Sequence, residues 1–334
     1  MEIERIWEAY NNERGKLGRL QSTSMVSAYA YLLGFHLPNV VRTEMVLDRA
    51  FNQRNFDFTR FKNHGATIID LGVGSGAVVS ATLNFLTGSC GFNHKDIRAE
   101  IVDRSGSFLD IAKLIIADQM DPKAVKSHKK EILEYDIVRS LNVNTAKDQL
   151  RIVTVGYVWN EVNRNKKSRS HFAGQLAKLA SAPVPVVLML LDSSNESQAR
   201  DIMELRDEVV SAGMRSVYPC PSDKACPMLK DERDWCYSEA KWNQPAVMKR
   251  LDRLLDVNRS RFATSGYLFC NPTAAAAMKA LPKSDTSVIV GRPKTGSGPS
   301  TEFQYLICEA GRLTKRPGDQ RNLPRGLQFI GSRK

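Results

Sequence analysis

The sequence predicts an α/β fold: a mostly parallel sheet with helices on both faces, a helical region in front of it and a small β-rich appendage behind. Three observations predict it. Strand-like and helix-like segments alternate about five times after Ala66. A β-branched run, ATIIDLGVGSG, ends in closely spaced glycines. The alternation stops after Gly213, where a polar loop rich in cysteine and proline begins. The expected organisation is residues 1–60 as the helical region, 61–213 as the sheet domain and 214–334 as a basic, cysteine-bearing, β-rich region.

Each element follows from local pattern. Apolar residues recur at three- and four-residue spacing from Ile3 to Asn52, in SMVSAYAYLLGFHL and, after Pro38, in VVRTEMVLDRAF, which is helical periodicity. ATIIDL reads as a strand and AVVSATLNFL as the helix after it; AEIVDRS and GSFLDIAKLIIADQM repeat the pair. QLRIVTVGYVW and PVPVVLMLLD are two more strands, separated by a helix through HFAGQLAKLA and followed by a helix over SQARDIMELRDEVVSAG. Beyond Gly213 come the cysteine loop, a basic helix around AVMKRLDRLLDVNRSR, and strand candidates at SGYLFCN, TSVIVGRP and EFQYLICEA. KTGSGPS reads as a connecting loop, and NPT at Asn271 as a turn. There is no internal repeat.

Composition narrows the function classes. A chain of 334 residues with 42% hydrophobic and 25% charged content is ordinary globular protein, which excludes wholesale disorder. Its longest apolar run, Val184 to Leu191, has the length of a buried strand and falls well short of the roughly 20 residues that span a bilayer. No membrane association is expected. The start, MEIERIWEAYNNERGK, mixes acids with bases and lacks an apolar core, so neither a signal nor a transit peptide is expected there. A soluble protein in a reducing compartment follows, monomeric when free. The net charge of +12, with a pI near 9.4, calls for an anionic partner, RNA first among them. RNKKSR, Arg164 to Arg169, holds four bases in six residues, and the tail from Gly311 holds seven bases against the single acid Asp319.

The glycine loop carries the first specific chemistry. DLGVGSG, Asp70 to Gly76, lies between a strand and a helix, where Gly72, Gly74 and Gly76 let backbone approach a ligand and expose amides of the next helix. The third glycine comes one residue too early for the dinucleotide pattern GxGxxG. An acid followed by GxGxG is instead the signature of S-adenosylmethionine methyltransferases. Asp103, ending the second strand, is placed to accept hydrogen bonds from ribose hydroxyls. Asp136, in LEYDIV, is expected near the adenine, with Tyr135 beside it. The fourth strand ends VGYVWNEV, without the Asn/Asp-Pro-Pro-aromatic motif of enzymes that methylate base amino groups. Tyr157, Asn160 and Glu161 are the catalytic candidates there, and Trp159 offers a stacking face.

Cys220, Cys226 and Cys236 supply the second, with five and nine residues between them. Disulfide frameworks belong to short secreted domains, so three thiols in one polar loop read as ligands. No histidine is near; Cys270 and Cys308 are the available fourth donors. Four thiolates bind structural zinc or an iron–sulfur cluster, and this spacing fits paired CxxC zinc modules poorly.

On these residues the chain resembles a family: the methyltransferase-like protein of the mitochondrial small ribosomal subunit and its bacterial relatives. The resemblance covers the helical front, DLGVGSG, GYVWNEV and above all PCPSDKACPMLKDERDWCYS, which is similar to the family's PCPH-x-x-x-CP followed by WCHFS. Ser222 and Tyr237 depart from family histidines. The resemblance implies that Cys220, Cys226 and Cys236 join Cys308, in EFQYLICEAGRL, to hold a 4Fe-4S cluster, and that Cys270 is a buried thiol. It implies a role in assembly of the small ribosomal subunit, with a subunit precursor and its rRNA as partners. The bacterial cytoplasm is the expected compartment, or the mitochondrial matrix if the source is eukaryotic. The alternatives are an active rRNA methyltransferase and a small-molecule methyltransferase with structural zinc.

Overall fold

Strands β1 (Ala66–Leu71), β4 (Leu150–Gly156) and β5 (Val186–Asp192) are buried almost from end to end, the condition of parallel strands covered on both faces. In this computed structural model, residues 2–11, 24–52, 56–141, 147–162, 165–230, 234–277, 286–291, 294–295, 303–318 and 323–330 are described. β2 (Ile97–Asp103) and β3 (Val125–Lys129) extend the sheet in parallel from β1, while β4 and β5 extend it on the other side. Antiparallel β8 (Arg261–Cys270) pairs with β5. The far half of β8 pairs with β6 (Arg215–Tyr218), and its first four residues pair with β7 (Ser238–Lys241). The order is β3-β2-β1-β4-β5-β8-β6, a Rossmann-like sheet. Winding reverses between β1 and β4, so a crevice opens at the strands' carboxyl ends.

Alternation along the strands separates two cores. Ile68, Ile152 and Met189 face α3 (Leu37–Asn52), α4 (Ala77–Asn84) and α5 (Gly106–Ala117), through Val46, Val79 and Leu109. Their neighbours Ile69, Val153 and Leu188 face α8 (Lys166–Ala177) and α9 (Glu196–Ser211), through Phe172, Leu176 and Ile202. The helices begin where the sequence supplies caps: Ser105, Asn165 and Asn195 each accept a backbone N–H from the first turn of α5, α8 and α9.

The helical front consists of α1 (Glu2–Asn11), α2 (Met25–Tyr31), a π-helical turn over Leu32–His36, and α3. From α3, Arg49 donates to the carbonyls of Glu239 (2.7 Å) and Arg325 (3.0 Å), joining the front to the C-terminal region. A second sheet of five strands follows the first: β9 (Thr286–Ile289), β10 (Lys294–Thr295), β11 (Phe303–Glu309), β12 (Arg312–Gly318) and β13 (Gln328–Ile330).

Several expectations change. SGYLFCN, expected in the appendage, lies in β8 inside the main sheet, because the chain leaves the sheet after β6 and returns between β5 and β6. Asp136 of LEYDIV, expected near the adenine, instead accepts the Arg139 amide (3.0 Å) and opens a short helix, α6 (Ile137–Leu141). The basic helix is α10 (Ala246–Leu254) alone, shorter than the pattern suggested. Asn271 of NPT caps α11 (Pro272–Ala276), and its side chain also bonds the Ala182 and Val184 carbonyls. Of KTGSGPS only Lys294 and Thr295 lie within the described residues; Arg164 of RNKKSR, parts of the basic tail and the DER of the cysteine loop lie outside them.

Gly266 marks the closest packing of α3 on β8. A Cβ there would meet Val46 Cγ2 at 2.5 Å and Leu191 Cδ2 at 3.1 Å. Gly266→Ala should therefore cost about 1–3 kcal/mol by overpacking, read as a lower urea midpoint with an unchanged m-value.

Candidate functional site

A cleft opens at the carboxyl ends of β1, β2 and β4. Its floor is the glycine loop, where Gly72, Gly74 and Gly76 all have positive φ. At Gly72 glycine is required twice over: φ is +79°, and an added Cβ would lie 2.9 Å from Val158 Cγ2. The Gly72 and Val73 amides donate to the Val102 carbonyl, tying the loop to β2. Asp103 stands at the rim. Its Oδ2 accepts from the Gly74 amide (3.0 Å) and its Oδ1 from the Ser105 amide (2.8 Å), which leaves a lone pair on each oxygen. Burial pushes the Asp103 carboxyl up, and those two amides pull it back down.

Gly72, Gly74 and Asp103 line the cleft; Asp70, Gly76 and Asp136 do not. Asp70 lies beneath the loop, buried, accepting from Thr154 Oγ1 at 2.5 Å. Burial pushes its carboxyl up to about 7. Gly76 starts α4, and Asp136 is exposed at its cap. Beside Asp103, which pairs with Lys129 of β3, the residues that follow that strand, Glu131, Ile132 and Leu133, also line the cleft. Tyr31 and Phe108, packed edge to face at 5.3 Å, close another side. The sequence carried no cue for Glu131 to Leu133, since β3 reads VKSHK, without apolar alternation.

The residues after β4 are heavily engaged. Tyr157 has φ of +62°, an uncommon conformation for a non-glycine residue, and its hydroxyl sits 3.4 Å from Thr264 Oγ1. Asn160 donates to Asp192 Oδ1 (3.2 Å) and to the Tyr157 carbonyl (3.4 Å). Glu161 borders the cleft and pairs with Arg104 across it at 3.4 Å. Trp159, in α7 (Trp159–Val162), is fully buried beside Phe172 and offers no face to a ligand.

A second, smaller cavity lies between α9, the loop after β6 and the second sheet. Cys220, Cys226, Cys236 and Cys308 all border it, although 88 positions separate the first from the last. Cys90 and Cys270 lie in the other core. The loop is held from α9: Arg206 donates to the Ser222 and Lys224 carbonyls, each at 2.6 Å, and Asp207 accepts the Cys226 amide at 2.9 Å. From the second sheet, Gln328 donates to the Pro219 carbonyl at 2.7 Å. Burial, then the neighbouring thiols, pushes Cys226 up to about 12 and Cys236 to about 11, while burial and the same neighbours also raise Cys308. Among the described residues no three His, Cys, Asp or Glu side chains converge tightly enough to grip a single metal ion.

Residues 43–301 match the family described as mitochondrial small ribosomal subunit Rsm22. The chain belongs to that family. No curated protein matches it. Among solved structures, it is similar to a putative methyltransferase from Thermoplasma acidophilum at 14% identity, covering 62% of this chain and 68% of that one, with a TM-score of 0.33. It is similar to a putative RNA methyltransferase from Pyrococcus horikoshii at 11% identity, covering 73% and 82%, with a TM-score of 0.35. A human methyltransferase 10 domain containing protein gives 10% identity, 71% and 83% coverage, and a TM-score of 0.36.

The environment of Asp70 yields a test of the loop's foundation. Its carboxyl ionises near 3.8 when unfolded and about 7 when folded, so the folded state holds the extra proton in between. Stability contributed at this site therefore falls as pH rises from about 4 to about 7 and is level above. The stability of Asp70→Asn relative to wild type should grow by up to about 4 kcal/mol over that window, read by urea unfolding at pH 4.5 and 7.5. A difference independent of pH would refute the assignment.

Proposed function

We propose that this chain is an assembly factor of the small ribosomal subunit that binds S-adenosylmethionine in the glycine-loop cleft and a 4Fe-4S cluster in the cysteine cavity. The observation that carries the reading is the convergence of three cysteines of one loop and a fourth, 72 positions further on, on one cavity from which the other two are excluded. A zinc ion needs all its sulfurs about 2.3 Å from one point. Thiols spread around a cavity suit a cluster better, where each thiolate meets a different iron. Family membership supports the small ribosomal subunit as the partner, which we take to be engaged as a precursor, and favours the mitochondrial compartment over the bacterial cytoplasm.

In the cleft, Gly72 and Gly74 would take the methionine and ribose side of the ligand, Asp103 the ribose hydroxyls, and Ile132 with Leu133 the purine. The cluster supplies iron–thiolate bonds that join the loop after β6 to β11. Cys220, Cys226 and Cys236 hold one side of that joint and Cys308 the other. Methyl transfer forms no part of the proposal, because the end of β4 lacks the Asn/Asp-Pro-Pro-aromatic motif of enzymes that methylate base amino groups.

The RNA-facing surface is assigned to the bases beside the cleft. Lys166 and Lys167 are exposed in the first turn of α8, at the positive end of the helix dipole, where bases are intrinsically unfavourable. Asn165 and Ser168 of the same turn border the cleft. A phosphate backbone relieves that repulsion.

Anaerobic purification should give a coloured protein with about four irons and four sulfides per chain. Cys308→Ser should lose most of the iron while Cys270→Ser keeps it; a colourless protein holding one zinc would sink the cluster. S-adenosylmethionine should bind by calorimetry, and Asp103→Ala should weaken it tenfold or more, through loss of charge-assisted hydrogen bonds worth about 1.5–3 kcal/mol each. Co-purification with small-subunit precursors should weaken, and its salt dependence flatten, when Lys166 and Lys167 are both made Gln.

A further inference from the structure

We infer that Tyr267 and Arg206 are the residues that tune the metal cluster: Tyr267 donates its hydroxyl to a sulfur of the cluster site, and Arg206 sets its guanidinium charge at the cavity wall while clamping the loop that carries Cys220 and Cys226. The inference rests on the cluster reading above and extends it to residues that bind no iron.

The Tyr267 hydroxyl is buried in the cavity wall, on a side chain 2% exposed, and has no hydrogen-bond partner among the described residues. A buried hydroxyl left unpaired costs about 1–3 kcal/mol, and only an acceptor within the cavity removes that cost. The wall offers sulfur. Cys220, Cys226, Cys236 and Cys308 all border the same cavity as the Tyr267 ring.

Arg206 is also 2% exposed and also borders the cavity. Its two Nη atoms are spent on the Ser222 and Lys224 carbonyls and on Asp207, while its Nε has no partner among the described residues. A buried guanidinium demands compensating negative charge. Asp207 supplies part of it and also accepts the Cys226 amide. Arg206 and Asp207 thus form one clamp, fixing the loop's carbonyls and an amide, while leaving positive charge facing the sulfurs. A cluster with thiolate ligands carries net negative charge, and hydrogen bonds and positive charge at its sulfurs favour the reduced form.

The test uses the full chain, reconstituted anaerobically with iron and sulfide. Tyr267→Phe should keep the wild-type iron and sulfide content, melt at the same or a higher temperature when metal-free, and show a lower midpoint potential in dithionite titration followed by absorbance. Arg206→Lys keeps a charge but loses the fork, and should hold at most half the wild-type iron. A loaded Tyr267→Phe protein with an unchanged or raised potential, or one whose metal-free form is less stable, overturns the role of Tyr267. Full iron content in Arg206→Lys overturns the clamp. A wild-type chain that takes up neither iron nor sulfide overturns the cluster reading, and this inference with it.

Discussion

The whole arrangement depends on burying both faces of β1, β4 and β5. Strands enclosed in this way have no room for polar chemistry along their length, so polar groups collect where the strands end. Three aspartates show how differently those ends are used. Asp70, one residue inside the end of β1, is sealed beneath the glycine loop with Thr154. Asp103, the last residue of β2, reaches the rim of the cleft and holds the Gly74 and Ser105 amides. Asp192, the last of β5, is bound by Asn160 and the Ser193 amide. Only the second borders the cleft.

How far the sequence could be read follows from how local each signal is. β1, β2, β4 and β5 announce themselves by apolar, β-branched runs. β3 does not, because an edge strand half open to solvent carries lysines where a central strand carries valines. LEYDIV imitates a strand because buried Tyr135 and Ile137 flank exposed Asp136, giving a period of two over a helix start. β8 was recognisable as a strand, yet its place in the main sheet depends on a partner some 75 residues earlier, beyond any local pattern.

The two sites divide in the same way. The glycine loop and the three cysteines of one loop are compact motifs, and each could be picked out by spacing. Cys308 needed the family resemblance. Arg206 and Tyr267 carried no signal, since an arginine in an amphipathic helix and a tyrosine in a strand are ordinary until the fold places both on one cavity. Glu131 to Leu133 were equally silent, being defined by the strand that precedes them rather than by their own chemistry.

The path of the chain through the main sheet has a topological consequence. β6 is made, the chain departs through the cysteine loop and α10, and β8 then slots between β5 and β6. During synthesis, therefore, β5 waits with an unpaired apolar edge until the segment bearing three thiols has already emerged. Those thiols lie on an internal detour of the sheet, not on a domain hung from its end. The loop that carries them is therefore made while β5 is still open, before the strand that closes the sheet.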